Sequence, residues 1–405
     1  MARCQLALGR LHRRRGEYEQ ALQQLELARA AWSALDDPDG LSQALLETGI
    51  VYVFKSDYPA AKMSLEEARQ IAGRLGDRAS LAQAINFLGT TAYYRGDYAQ
   101  ARLDYEESLA LRRALDDRRG IANSLNNLGL LTTAQGDYAA SRALHEESLA
   151  LRRMLGDRKG IADSLNNLGV LADSLGDHDE ARSFYEESLV ICRELGDRWQ
   201  IAVLLSNLAG ESCHLGEFTV AERMLDDSLA LKRERGDLRG IAVSTCILGD
   251  VKFCQGQHAA AETFYRDSLA QCQAIGEKYY QSLARLGLCF VALSRSEIDA
   301  ALPVLLECLE TLVQLESKGG MIDALIGLAS VYIHRQDPLR AARLLGAAQE
   351  LLGGKIQRLL VTRPFYEQGL QIVRAALGED AFQQACQAGA RMTAAERIAL
   401  AHAPG

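Results

Sequence analysis

"SLNNLGLLTTAQGDYAASRALHEESLALRRMLGD" occupies residues 124–157, and its opening "SLNNLG" returns at 164–169, forty residues later. The dipeptide Gly-Asp at 136–137 marks the same spacing. Copies or close variants of it stand at 16–17, 56–57, 96–97, 176–177, 216–217, 256–257, 296–297 and 336–337. A fixed period of 40 residues over nine copies predicts an array of repeats that bury one another's apolar faces.

A second break lies midway between these dipeptides. It reads "LGD" at 75–77, 155–157 and 195–197, "LDD" at 115–117 and "RGD" at 235–237. Gly supplies the left-handed residue after a helix, and Asp caps the next helix. Each repeat is therefore two helices, helix A over about 81–95 or 121–135 and helix B over about 98–115 or 138–155. The prediction is an all-α, right-handed solenoid of about nine helix hairpins.

Composition excludes several classes of protein. The chain has 405 residues, is 48% hydrophobic and carries a net charge of −8, which argues against direct binding of nucleic acid. No apolar run approaches the roughly 18 residues that a membrane span needs, so no membrane partner is expected. The nine cysteines are scattered without a C-x-x-C pair, as is typical of buried thiols in a reducing compartment. A cytoplasmic location is predicted.

The pattern within each repeat is specific. A Leu-Gly pair in helix A is followed by a small residue twelve positions on, a large residue four later and a small residue three later. Examples are Leu88-Gly89, Ala101, Tyr105 and Ser108, and then Leu168-Gly169, Ala181, Tyr185 and Ser188. Residues 1–352 thereby resemble the tetratricopeptide repeat, although that family usually has a period of about 34 residues and a terminal Pro. The longer form resembles the repeats of kinesin light chains and of the sensor regions of bacterial regulatory ATPases of the maltose-regulator type.

Polar side chains recur on one side of helix A. The candidate binding residues are Asn86, Asn123, Asn126, Asn127, Asp163, Asn166, Asn167 and Asn207. The resemblance implies that this side lines a concave groove, where an amide can both donate to and accept from an extended peptide. Alternatively, the asparagines hydrogen-bond between adjacent A helices and stiffen the stack.

Signatures of catalysis are missing from the sequence. It contains no phosphate-binding G-x-x-x-x-G-K-[ST] loop, no H-E-x-x-H and no G-x-S-x-G. The seven histidines are spread along the chain, and His145 takes the large-residue position of its repeat, which favours a role in packing. We expect no enzymatic activity, no cofactor and no metal site.

The forty-residue rhythm stops after residue 352, and residues 353–405 are predicted to form a helical cap. Pro364 can begin a helix that Gly378 ends, and Thr393 with Glu396 forms a capping-box pattern. Together with residues 341–353, this tail resembles the end of the sensor region in bacterial signal-transduction ATPases related to LuxR-type regulators.

Two functions remain open at this stage. The first is a non-enzymatic scaffold that binds an extended peptide or a protein partner in its groove. The second is the sensor arm of a bacterial ATPase-type transcriptional regulator, separated from its nucleotide-binding and DNA-binding domains. The second function requires an ATPase or transcription-factor partner in cis or in trans.

Overall fold

The computed structural model describes residues 1–353 and 360–403, which form twenty-one α-helices. The first eighteen pair in chain order as nine hairpins, so the predicted all-α solenoid is confirmed. The odd-numbered helices are the A helices and the even-numbered helices are the B helices. Their bounds are α1 Ala2–Arg15, α2 Tyr18–Ala34, α3 Pro38–Phe54, α4 Tyr58–Leu75, α5 Arg78–Tyr94, α6 Tyr98–Ala114, α7 Arg118–Ala134, α8 Tyr138–Met154, α9 Arg158–Leu175, α10 His178–Leu195, α11 Arg198–His214, α12 Phe218–Arg235, α13 Leu238–Cys254, α14 His258–Ile275, α15 Lys278–Ser294, α16 Ile298–Gln314, α17 Lys318–His334 and α18 Pro338–Leu352.

The turns use Gly and Asp as the sequence predicts. Gly136 is left-handed, with a φ of 76°, and the side chain of Asp137 accepts a hydrogen bond from the backbone N–H of Ala140 at 3.2 Å. Asp117 likewise accepts from the N–H of Gly120 at 2.9 Å. Because Asp117 is itself the N-cap, α7 begins at Arg118. The predicted starts of helix A at 81 and 121 are therefore wrong by about one turn.

Glycine allows the two helices of a hairpin to pack closely. A Cβ placed on Gly89 would lie 2.8 Å from the ring of Tyr105, and one on Gly169 would lie 2.5 Å from the ring of Tyr185. A serine hydroxyl on helix B also donates to a backbone carbonyl of helix A. These bonds, of 2.6–2.9 Å, join Ser108 to Ala82, Ser148 to Ala122, Ser188 to Ala162, Ser228 to Ala202 and Ser268 to Ala242.

The hairpins stack so that the A helices form an inner layer. Successive A helices pack directly on one another, as α3 does on α5 and α15 on α17. Successive B helices do not pack to that extent among the described residues. An array whose A helices are closer together than its B helices curves with the A helices on the concave side. The groove is defined here as the face of α5 to α17 at positions equivalent to 123, 126, 127 and 130, one repeat apart.

Three further helices cover the last hairpin: α19 Arg363–Leu377, α20 Glu379–Ala390 and α21 Ala394–His402. Pro364 and Gly378 bound α19 as predicted, and Thr393 with Glu396 forms the predicted capping box at α21. Helices α18 and α20 cross in close contact, since a Cβ on Gly346 would lie 2.1 Å from the Cys386 carbonyl oxygen. Part of the predicted cap, residues 354–359 and 404–405, lies outside the described residues.

Two further observations bear on the sequence analysis. None of the helices in the described ranges is both long and apolar enough to cross a membrane. The nine cysteines are free thiols, and all except Cys4 and Cys254 are buried.

His145 fills the large-residue position of the fourth hairpin and is fully buried. It packs beneath Gly129, as the tyrosines do in neighbouring hairpins. Neither ring nitrogen has a hydrogen-bond partner among the described residues. Burial, with Arg152 nearby, lowers the pKa of His145 to about 4.

The glycine contacts predict opposite effects for two matched substitutions. Gly89→Ala should lower the free energy of unfolding by about 1–3 kcal/mol, because the new methyl group overlaps the Tyr105 ring. Gly210→Ala, in an A helix where a Cβ would meet no atom of residues 1–353 and 360–403 within 4 Å, should raise it by roughly 0.5–1 kcal/mol. Urea denaturation followed by circular dichroism measures both. Equal effects at the two positions would contradict the close-packing argument.

The buried imidazole of His145 predicts that the free energy of unfolding depends on pH, and His145→Phe should remove this dependence. The pKa of His145 is about 4 in the fold, against about 6.5 for a histidine side chain in water, so the unfolded chain binds the extra proton. Stability should therefore fall as the pH drops from about 6.5 to about 4, at up to about 1.4 kcal/mol per pH unit from this group. Urea midpoints at pH 7 and pH 5 should show a larger loss for the wild type than for His145→Phe. An equal loss of stability between pH 7 and pH 5 in the two proteins would contradict this prediction.

Candidate ligand-binding groove

Six of the eight predicted binding residues form a ladder between successive A helices. Asn127 Nδ2 donates to Asn86 Oδ1 at 3.1 Å, and Asn167 Nδ2 donates to Asn126 Oδ1 at 2.8 Å. Asn207 Nδ2 donates to Asn166 Oδ1 at 2.9 Å. Each rung joins residues 41 positions apart, so one asparagine contacts the other asparagine position of the preceding repeat. The ladder runs from α5 to α11.

The ladder lies at the floor of the groove. Asn86, Asn126, Asn166 and Asn167 are 5–8% exposed, and the rest of the ladder is half-buried. Each rung uses one amide hydrogen and one carbonyl oxygen. Among the described residues, no side-chain hydrogen bond is formed by Nδ2 of Asn126 or by Oδ1 of Asn127 and Asn207. Asn166 and Asn167 use both their Nδ2 and Oδ1 atoms, because Asn166 Nδ2 also donates to Asn167 Oδ1 at 3.1 Å. The stacking alternative therefore accounts for these two amide groups in full and for half of the amide groups of Asn126, Asn127 and Asn207, and binding by the other half stays a prediction.

Asn123 and Asp163 are not part of the ladder, and both lie near the cation Arg152. Arg152 on α8 donates to Asn123 Oδ1 at 2.9 Å and to Ser164 Oγ at 3.1 Å. Burial raises the pKa of Asp163 to about 6, while Arg152 and Lys159 act to lower it. These two candidates thus belong to the edge of the groove where helix B meets the next helix A.

Beyond the ladder, the groove becomes apolar and contains a cavity of about 260 Å³. The positions that hold asparagine earlier now hold Cys246, Ile247, Leu286 and Gly287. The cavity is also lined by Asp250, Tyr280, Leu283, Phe290, Asp323 and the chain's own Leu360, Val361 and Thr362. Burial raises the pKa of Asp250 to about 7, against a hydrogen bond from Tyr265 that lowers it.

A non-helical stretch of this chain lies in the second half of the groove. Residues 360–362 form bends, and Thr362 Oγ1 donates to Asp323 Oδ1 at 2.8 Å. The ring of Phe365 then lies 5.0 Å from that of Phe290 and 6.3 Å from that of Phe253. The A-helix face thus already holds a polypeptide segment through one polar bond and aromatic packing.

The two edges of the solenoid meet along a seam. This name covers contacts between the A-to-B turns of hairpins 1–4 and the B-to-A turns that follow hairpins 5–8. The Arg239 guanidinium lies 4.5 Å from the Tyr94 ring and 5.5 Å from the Tyr280 ring. Lys318 Nζ donates to the Gly136 carbonyl at 3.1 Å. Further contacts join Arg235 to Tyr18, Trp199 to Phe54, and Gln135 to Glu316. Leu315 packs against Gly96 in the same seam and is buried in a cluster with Tyr98.

The sequence analysis missed one polar cluster. His178 and His214 stack with ring centroids 4.0 Å apart, and His178 Nδ1 lies 2.8 Å from Glu211 Oε2. Asp173 completes a group whose ligand-type atoms are close together. The inference that the histidines lie apart is wrong for this pair, because helices α10 and α11 bring distant positions together. In the sequence, only an alignment of these histidines to the 40-residue repeat could have indicated that they meet.

Comparison with known proteins identifies the repeat. A family model described as "Tetratricopeptide repeat" matches residues 1–74, 41–114, 120–194 and 200–274. None of the curated proteins matches the sequence.

Solved structures share the fold. "Rap Protein Complexed with Competence and Sporulation Factor" is 13% identical, with a TM-score of 0.56 over 83% of this chain and 98% of that one. The Rap conjugation gene regulator of plasmid pLS20 in complex with the Phr* peptide is 16% identical, with a TM-score of 0.56 over 67% and 73%. Aspartyl phosphate phosphatase F from Bacillus subtilis is 12% identical, with a TM-score of 0.50 over 86% and 92%. These identities establish likeness of fold alone.

The ladder predicts energetic coupling between repeats. Asn167→Ala should lower the free energy of unfolding by about 1–3 kcal/mol, because it removes the partner of Asn126 Oδ1 and of Asn166 Nδ2. A double-mutant cycle with Asn126→Ala should give a coupling energy of about 0.5–1.5 kcal/mol. Both are measured by urea denaturation. Strictly additive losses would show that the rung contributes nothing to stability.

Proposed function

Because the chain belongs to the tetratricopeptide-repeat family, we propose that it is a non-enzymatic protein-binding module whose groove holds an extended segment of a protein partner. The proposal includes a cytoplasmic setting and no cofactor. One of the proteins with a similar fold is an aspartyl phosphate phosphatase, so this is the enzymatic activity to test for first. The purified chain should release no phosphate from an aspartyl phosphate.

The observation that carries the proposal is the stretch at 360–362 within the groove. It packs on three A helices, α13, α15 and α17, and its Thr362 bonds to Asp323. A surface that accommodates one non-helical segment has the width and the polar partners to accommodate another. The remaining cavity of about 260 Å³ leaves space for side chains of a ligand.

The ladder supports the same proposal for the first half of the groove. Asn126 retains amide hydrogens, and Asn127 and Asn207 retain carbonyl oxygens, after the rungs are formed. An extended backbone offers donors and acceptors in alternation, which amide groups can match. Among the similar folds, the Rap conjugation gene regulator was solved with the Phr* peptide bound, which motivates a peptide as the ligand to test.

The test is a peptide selection followed by affinity measurement. Peptides selected from a random displayed library would be titrated by fluorescence anisotropy against the wild type, Asn127→Ala and Asn207→Ala. Loss of one amide contact of about 1.4 kcal/mol should weaken binding about tenfold. Glu147→Ala, at an exposed position on helix α8, is the matched control and should leave affinity unchanged.

Two results would contradict the proposal that peptides bind in the groove. Equal affinity for wild type and both asparagine variants would move the site away from the ladder. Equal weakening by Glu147→Ala would show that the effect is not specific to the A-helix face. Circular dichroism of each variant separates lost binding from lost fold.

The second candidate is the sensor arm of an ATPase-type regulator. The resemblance of residues 341–401 to the tail of LuxR-type signal-transduction ATPases supports it. This function needs a nucleotide-binding domain in cis or in trans, whereas the scaffold does not. A coding sequence for a phosphate-binding loop continuous with Met1, or specific capture of an ATPase by the groove, would favour the sensor arm.

A further inference from the structure

The seam joins one edge of the solenoid to the other along four consecutive hairpins. Every hairpin runs between two edges, with the A-to-B turns on one edge and the B-to-A turns on the other. The A-to-B edge of hairpins 1–4 lies against the B-to-A edge after hairpins 5–8, from Tyr18 beside Arg235 to Gly136 beside Lys318. The curvature of the solenoid thus brings the array round by one full turn, so that its later hairpins lie directly on its earlier ones.

One position of the repeat distinguishes the hairpins that form the seam on this edge. The B helices of hairpins 1–4 begin with tyrosine, and those of hairpins 5–9 do not. In chain order these first residues are Tyr18, Tyr58, Tyr98 and Tyr138, and then His178, Phe218, His258, Ile298 and Pro338. Tyr18, Tyr58 and Tyr98 are 1–8% exposed, whereas the equivalents in hairpins 5–9 are half-buried. Because a tyrosine ring buries a large apolar area, this edge has the composition of a packed interface.

The opposite edge carries large side chains that meet these tyrosines and their neighbours. At one position near the start of the A helix, α11, α13 and α15 have Trp199, Arg239 and Tyr279, whereas α3, α5, α7 and α9 have Asp39, Ala79, Arg119 and Lys159. The Trp199 ring lies 6.5 Å from that of Phe54, and Tyr279 packs into the cluster that contains Tyr98. Leu315, which is 3% exposed, lies in the same cluster. Apolar side chains from both edges are thus buried against each other along the seam.

Closure of the seam makes the groove a channel, because the A helices form the inner layer. Within the part of the chain that the structure describes, this channel opens at two rims. The first rim consists of the B-to-A turns after hairpins 1–4, and the second of the A-to-B turns of hairpins 5–8. Residues 360–362 lie on α13, α15 and α17, and Phe365 packs on Phe253 and Phe290 in the last turns of α13 and α15, near the second rim. The chain's own segment thus occupies the second rim, and the asparagine ladder is reached from the first.

We propose that the partner contributes a free chain terminus, which enters the channel through the first rim, and not an internal loop. The inference rests on the proposed function, since it specifies which kind of extended segment the groove holds. A loop has both of its ends in a folded domain, so it can enter a closed channel only when the seam opens. Opening would expose Tyr98 and Leu315 to water, which opposes it. A terminus needs no such opening and can slide in along the A helices.

Peptides with blocked ends test this inference on the full chain. The probe is the peptide selected from the displayed library, used free, fused to a folded domain at either end, and fused to a folded domain at both ends. The free peptide and at least one singly fused form should associate at similar rates. The doubly fused form should associate at least about tenfold more slowly, because it has to wait for the seam to open. Equal rates for the free and doubly fused peptides would overturn the inference and leave the proposed function intact. If no peptide binds in the groove, the proposed function fails and this inference fails with it.

Variants of the seam identify the barrier. Arg239→Ala combined with Leu315→Ala removes two seam contacts and should speed association of the doubly fused peptide at least about tenfold, with little change for the free peptide. Arg119→Ala is the matched control, because Arg119 has the same position in its repeat as Arg239 but lies outside the seam with its side chain 70% exposed. No gain in the seam variant, or an equal gain in Arg119→Ala, would overturn the inference. Should the seam variant not fold by circular dichroism, the comparison of free and doubly fused peptides on the wild type decides alone.

Discussion

The contact between a glycine on helix A and a large side chain on helix B sets the geometry of most hairpins. Gly49 faces Leu65, Gly89 faces Tyr105, Gly129 faces His145, Gly169 faces Tyr185 and Gly249 faces Tyr265. With no Cβ at that point, the ring lies directly on the A-helix backbone and the two helices pack at short range. At the same interface, a serine on helix B donates a hydrogen bond to a backbone carbonyl of helix A, as Ser108 does to Ala82 and Ser148 to Ala122. Because this unit recurs every 40 residues, successive hairpins stack in a constant register, with equivalent positions of the A helices side by side.

The ladder follows from that register. Once the A helices form the inner layer, equivalent positions on successive A helices lie side by side, and polar residues there lose contact with water. Such residues need a partner, because an unsatisfied buried amide costs about 1–3 kcal/mol. The Asn-Asn pair meets this need by bonding each asparagine to the neighbouring repeat. Where the same positions are apolar, at Cys246 and Ile247, the chain covers the groove with Leu360 and Val361 instead.

Sequence periodicity was sufficient for features that depend on local chemistry. It predicted the hairpins, the packing role of His145 and the capping box at Thr393, because each of these features depends on residues only a few positions apart. It misplaced the start of α7 at residue 121, although Asp117 is the cap and the helix begins directly after it at Arg118. It could not give the direction of the ladder bonds or the meeting of His178 with His214. Those contacts depend on the angle between hairpins, which no single repeat encodes.

The seam determines how far apart the two edges of the groove lie, and polar contacts are only part of it. The Arg239 guanidinium lies over Tyr94 and Lys318 bonds to a backbone carbonyl. Leu315, which is 3% exposed, also packs into the cluster that contains Tyr98. A cation over an aromatic ring contributes about 0.5–2 kcal/mol, and burial of a leucine side chain contributes about 1.5–3 kcal/mol. Separating the two edges would therefore expose apolar surface to water, as separating the two helices of a hairpin would. The seam thus fixes the spacing of the edges by the same kind of packing that fixes the spacing of helices within a hairpin.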